Sequence, residues 1–137
     1  MKNLAITDQH AYIEFISQSN MGSVHDKTIW DELDLKLSDH NLLADLGFVG
    51  IEKSCPNAIL PFKKPRGKEL TELQKRVNKA IGSARIRIEH AFSGVKRLKI
   101  IRNKIRLETY QVRDRVFKIA VALHNLRVSY RVILNQP

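Results

Sequence analysis

From Thr71 onward the apolar residues fall at steps of three and four: Val77, Ile81, Ala84, Ile88, Ala91, Val95 and Leu98. This stripe constrains the chain more than any other feature in it. A period near 3.6 lines one face of an α-helix, so the spacing predicts one long helix that buries that face against another layer. The line beside the stripe carries Arg85, Glu89, Ser93 and Lys96, which puts Glu89 at the edge of the buried face. Within "SARIRIEHAFSGVKRLKI" Glu89 is the one acid among Arg85, Arg87, His90, Lys96, Arg97 and Lys99, with Arg102 just beyond. A lone carboxylate there reads in two ways. It is an i, i+4 partner of Arg85 on a solvated helix, or a metal ligand among groups that hold a polyanion.

The elements before that helix are short and β-leaning. "KNLAIT" (2–7) and "AYIEFIS" (11–17) read as two strands, with Asp8, Gln9 and His10 as the hairpin turn. Ser23 or Asp26 then caps an amphipathic helix to about Leu37, with Ile29, Trp30, Leu33 and Leu37 on one face. "HNLLAD" is a short apolar run consistent with a buried strand, ending in Asp45 before the turn-like Leu46-Gly47-Phe48. Gly50, Pro56, Pro61, Pro65 and Gly67 surround "AILPFKK" and predict a loop bracketing one short edge strand. After the long helix, Thr109 is a good N-cap for a last helix, with Val112, Val116, Ile119, Leu123 and Leu126 facing inward. Strands first and helices after, with no internal repeat, suggest a single domain over 1–137 of mixed α/β class.

Charge narrows the choice of partner. Residues 1–52 hold 3 Lys/Arg against 9 Asp/Glu, a balance of −6, whereas residues 53–137 hold 21 against 5, a balance of +16. A basic part of this density favours a polyanion, because each phosphate neutralised releases condensed counterions. A solvated basic surface, as on ribosome-associated proteins, is the competing reading. No run approaches the roughly 18 apolar residues of a membrane span. The first residues lack the layout of a signal peptide, and Cys55 is the only cysteine, so a cytoplasmic setting is expected. The five histidines, at 10, 25, 40, 90 and 124, share no ligand spacing, which makes a structural zinc site improbable.

Function in an open α/β sheet gathers at the carboxyl ends of strands, where Asp45 is expected. The basic helix could bring Glu89 opposite it, and carboxylates at that range are tolerated when Mg²⁺ or Mn²⁺ sits between them. Arg85 and Lys96 would then hold a phosphodiester. Each acid also has a simpler reading. Asp8 and Asp45 suit turns, Asp26 suits a helix N-cap, and a Glu89–Arg85 pair would contribute only about 0.3–0.5 kcal/mol.

The spacing Arg85, three residues, Glu89, six residues, Lys96 resembles the signature around the last acid of DDE transposases from bacterial insertion sequences. "GSVHD" (22–26), "LLADLGFVGI" (42–51), "ILPFKK" (59–64), "RIRIEHAFSGVKRLKI" and "ALHNL" (122–126) are similar, in that order, to the C-terminal part of the Harbinger-like and related branch. The resemblance implies an incomplete ribonuclease-H-like fold, a β-hairpin and short strands packed against long C-terminal helices. It assigns Asp45 as the second and Glu89 as the third of three metal-binding carboxylates, with Mg²⁺ or Mn²⁺ as cofactor and Asp26 in a supporting role. It also implies the chemistry: water attacks at the transposon end, and the freed 3′-hydroxyl attacks target DNA. Arg85, Arg87, Lys96, Arg97 and Lys99 become the DNA-binding residues.

The chain departs from the pattern at two places. Gly82 stands where the signature has Tyr, and the strand bearing the first Asp would lie upstream of Met1. Self-association, or pairing with an upstream transposase segment, is therefore a further expectation. A non-catalytic DNA-binding remnant is the alternative function.

Overall fold

The computed structural model describes residues 2–35, 37, 40–102 and 109–134. In chain order they form β1 (Ala5–Thr7), β2 (Ile13–Ile16), α1 (Asp26–Leu33), β3 (Leu42–Leu43), two 3-10 turns (Leu46–Phe48 and Ile51–Lys53), β4 (Ala58–Ile59), α2 (Glu72–Lys96), α3 (Lys99–Arg102) and α4 (Tyr110–Leu134). The architecture is mixed α/β, with two small two-stranded sheets and two long C-terminal helices. The chain divides into two compact units, residues 1–22 with 86–137, and residues 23–85.

In the first unit β1 and β2 pair antiparallel, Ala5 opposite Ile16 and Ile6 opposite Phe15, with an irregularity before Thr7 opposite Ile13. The expected turn forms. Asp8 Oδ1 accepts the N–H groups of His10 and Tyr12, both at 2.8 Å, the local bonding that makes Asp a turn residue. Ala11 follows with φ +67°, a conformation that costs a non-glycine residue energy and so needs holding from outside. The hold comes from α4. His124 Nε2–H donates to the Ala11 carbonyl at 2.8 Å, while the Asn125 amide accepts from Ile13 N–H and donates to Ile13 C=O, both at 2.9 Å. Ala11, Ile13, Ala91, Val95, Ala120 and Val121 make the core of this unit, with Ala5, Ile16, Ile101 and Phe117 packed against it. Full burial of a side chain such as Val95 contributes about 1.5–3 kcal/mol.

The α2 stripe is borne out through its middle, where Ile81, Ala91 and Val95 are buried and Ala84 and Ile88 half-buried, and is corrected at its ends: Val77 and Leu98 are exposed, and Leu98 lies beyond the helix, which closes at Lys96. Its helix opens on a reciprocal cap that fixes the start: Gln74 N–H donates to Thr71 Oγ1 at 3.2 Å, and Thr71 N–H donates to Gln74 Oε1 at 3.0 Å. The inward face expected of the last helix is corrected. Ile119, Leu123 and Leu126 are exposed, at 60%, 51% and 55%, and Val112 is exposed as well. The buried residues of α4 are Ala120, Val121, His124 and Val128. The reason is the partner that α4 meets: the Ala11 carbonyl takes His124 Nε2–H and Ile13 takes the Asn125 amide, which turns Ala120 and Val121 into the core with Ala11 and Ile13. Gly94 leaves the space for the imidazole, since a Cβ there would fall 2.2 Å from His124 Nδ1.

The second unit buries Ile29, Trp30, Ala44, Ile51, Cys55 and Ile81. Trp30 Nε1–H donates to Ser54 Oγ at 3.0 Å, which satisfies the indole as it enters this apolar set. Helix α1 ends at Leu33, with Asp34 left-handed at φ 44°, so Leu37 is not part of it. Its N-cap is His25, and Asp26 is the first helical residue. β3 and β4 pair parallel, Leu42 with Ala58 and Leu43 with Ile59. The expected buried strand in "HNLLAD" is thus only two residues long, and Leu43 is exposed because a two-stranded sheet has no second layer over both faces. Asn78 on α2 repeats the amide clamp of the first unit, accepting from Phe62 N–H at 2.8 Å and donating to Phe62 C=O at 3.0 Å.

Candidate nucleic-acid interface

Asp45 directly follows β3 and Ala44, and it caps the first 3-10 turn. Its Oδ1 accepts Leu46 N–H at 2.6 Å, and its Oδ2 lies 2.8 Å from Arg85 Nη2 on α2. Both side chains are well exposed, 44% for Asp45 and 40% for Arg85, so the ion pair is worth at most about 1 kcal/mol. Its meaning is chemical rather than energetic. A guanidinium faces the oxygen that a metal would need, and the other oxygen is committed to the turn. Asp26 belongs to the same neighbourhood: its Oδ2 lies 3.0 Å from the position a Cβ on Gly47 would take, so a side chain at Gly47 would crowd that carboxylate.

Glu89 is exposed, which corrects its expected place at the edge of the buried face. Arg85, its i, i+4 neighbour, is engaged by Asp45 instead. Among the described residues no three of His, Cys, Asp and Glu gather in a way that could hold a metal ion. Among the described residues the side chains as arranged therefore do not fit a divalent ion.

The basic residues are better placed for a polyanion. Lys96 closes α2, Arg97 follows it, Lys99 opens α3, and all three are exposed. Arg87 Nη1–H donates to the Gln9 carbonyl at 3.0 Å and keeps further N–H groups free of that bond. Two arginines that the sequence reading left out, Arg127 and Arg131, are exposed on α4. Their spacing of four residues on one helix was the available signal, but it lay behind the apolar pattern read for α4. No helix among the described residues is long and apolar enough to cross a membrane.

A protein family described as "DDE superfamily endonuclease" matches residues 1–125. A probable transposase for insertion sequence element IS702 from Microchaete diplosiphon is 34% identical over 86 residues, 62% of this chain and 31% of the relative. The chain thus matches under a third of that relative's length. No solved structure matches.

Proposed function

Because the chain belongs to the DDE superfamily endonuclease family, we propose that it serves DNA transposition by holding duplex DNA on its basic second part, and that taken alone it binds DNA without cutting it. The observation that carries this reading is the pairing of a family match over most of the chain with an Asp45 whose two oxygens are taken by Leu46 and Arg85. Twenty-one Lys/Arg against five Asp/Glu in residues 53–137 supply the attraction for phosphates.

The catalytic reading makes Asp45 and Glu89 two of three metal-binding carboxylates in a ribonuclease-H-like domain, with Asp26 supporting them and Mg²⁺ or Mn²⁺ as cofactor. The family and the Arg85, Glu89, Lys96 spacing favour it. For that chemistry Arg85 would have to leave Asp45, and a third carboxylate would have to join.

The test combines binding with cutting. Purified chain is titrated onto a labelled duplex, and separately incubated with supercoiled plasmid and Mg²⁺ or Mn²⁺. We expect binding with little sequence preference, weakening about 10³-fold between about 50 and 200 mM salt if six phosphates are contacted, and no nicking. Salt-indifferent affinity would refute the electrostatic part. Metal-dependent nicking lost in Glu89→Gln would replace this reading with the catalytic one.

A further inference from the structure

We propose that Arg97, Arg127 and Arg131 form a phosphate-binding site for the backbone of duplex DNA; it rests on the DNA-binding reading above. Arg127 Nη2 lies 3.0 Å from where a Cβ on Gly94 would be, so the absent side chain lets this guanidinium settle against the last turn of α2. Arg97 follows three residues after Gly94, just past the end of that helix. Arg131 lies one turn beyond Arg127 on α4 and donates from Nη2 to the His10 carbonyl at 3.2 Å. The three cations therefore gather beside the last turn of α2, two of them from the C-terminal half of α4.

Their company is what needs explaining. Partial desolvation against α2, and after it the charges of Arg97 and Arg131, hold Arg127 below the usual arginine range. None of the three is paired with a carboxylate among the described residues. The carbonyl end of α2 attracts a cation only weakly at a surface, which accounts for one arginine there but not three. A shared phosphate accounts for all of them. Guanidinium groups bind phosphate oxygens through paired N–H donors, and an anion between them turns mutual repulsion into attraction. Arg127 and Arg131 follow each other by about 6 Å along the helix, so both reach one stretch of backbone.

The experiment measures the affinity of the full chain for a labelled 20-base-pair DNA duplex across a salt series, for wild type, Arg127→Gln/Arg131→Gln, and Arg127→Lys/Arg131→Lys. Loss of two phosphate contacts should reduce the slope of log affinity on log salt by about 1.8, so that the fall between about 50 and 200 mM becomes about tenfold smaller. The lysine pair should keep the slope near wild type while binding more weakly, because it keeps charge and loses the guanidinium fork. If wild type binds with a steep slope and the glutamine pair matches it, this site is wrong and the DNA-binding reading stands. If wild type does not bind the duplex, both fail. A glutamine pair with a lowered melting temperature and an unchanged slope would make the arginines supports of the α2 end only. An RNA duplex of the same length bound more tightly, through the same arginines, would overturn the assignment to DNA.

Discussion

Helices α2 and α4 are both 25 residues long, and both carry apolar residues at helical spacing, yet they use them in opposite ways. In α2 the stripe of larger side chains is the buried one, with Ile81 and Val95 inside. In α4 the larger side chains, Ile119, Leu123, Leu126, Tyr130 and Ile133, stay outside, while Ala120, Val121, His124 and Val128 go in. The difference teaches that burial is decided by what a helix face is bonded to, and apolar character comes second. The Ala11 carbonyl takes His124 Nε2–H, Ile13 takes the Asn125 amide, and Gly94 leaves the space that the imidazole fills.

The sharpest way to break this comparison is to place the same charge on each face of α4. Val128→Lys buries an unpaired ammonium and should cost several kcal/mol, a large part of a domain's total stability. Leu126→Lys, two residues earlier and 55% exposed, should change stability by less than about 0.5 kcal/mol. Urea unfolding followed by circular dichroism measures both. Equal losses would mean that the leucine face of α4 is the packed one after all.

A smaller effect tests the space that Gly94 leaves for His124. Gly94→Ala sets a methyl group 2.2 Å from His124 Nδ1, and overpacking of this kind should cost about 1–3 kcal/mol. An unchanged unfolding midpoint would show that α4 can retreat at no cost. The smallest effect has the opposite sign. Gly82 sits in the same helix with nothing within 4 Å of a Cβ, so Gly82→Ala should stabilise by about 0.5–1 kcal/mol through lost backbone freedom in the unfolded chain. A loss of stability there would mean that the open space is needed by something else.

These contrasts also locate what could be read in advance. The middle of the α2 stripe, the Asp8 turn and the start of α4 after Thr109 depend on neighbours within one or two turns, and each is where the sequence puts it. The buried face of α4 depends on Ala11 and Ile13, more than a hundred residues away, and two apolar stripes on one helix offer no local way to choose between them. The site divides in the same manner. That Asp45 ends the β3 segment was legible from "NLLAD", but that Arg85 answers it rather than Glu89 is a tertiary fact, invisible to i, i+4 spacing. Arg127 and Arg131 were missed because their grouping with Arg97 exists only once the end of α2 and α4 have met.

The amide of Asn125 has one more consequence. By taking both the N–H and the C=O of Ile13, it occupies the two groups with which β2 would recruit another strand at that rung. Open sheet edges are templates for uncontrolled chain-to-chain growth, and proteins usually blunt them with charge, proline or a bulge. Here a single helix residue plays the part of a strand that is one residue long. Any incoming chain must first pull Asn125 away, exchanging two satisfied hydrogen bonds for two new ones, so growth from this edge gains little at its first step. A small two-stranded sheet can thereby stay small.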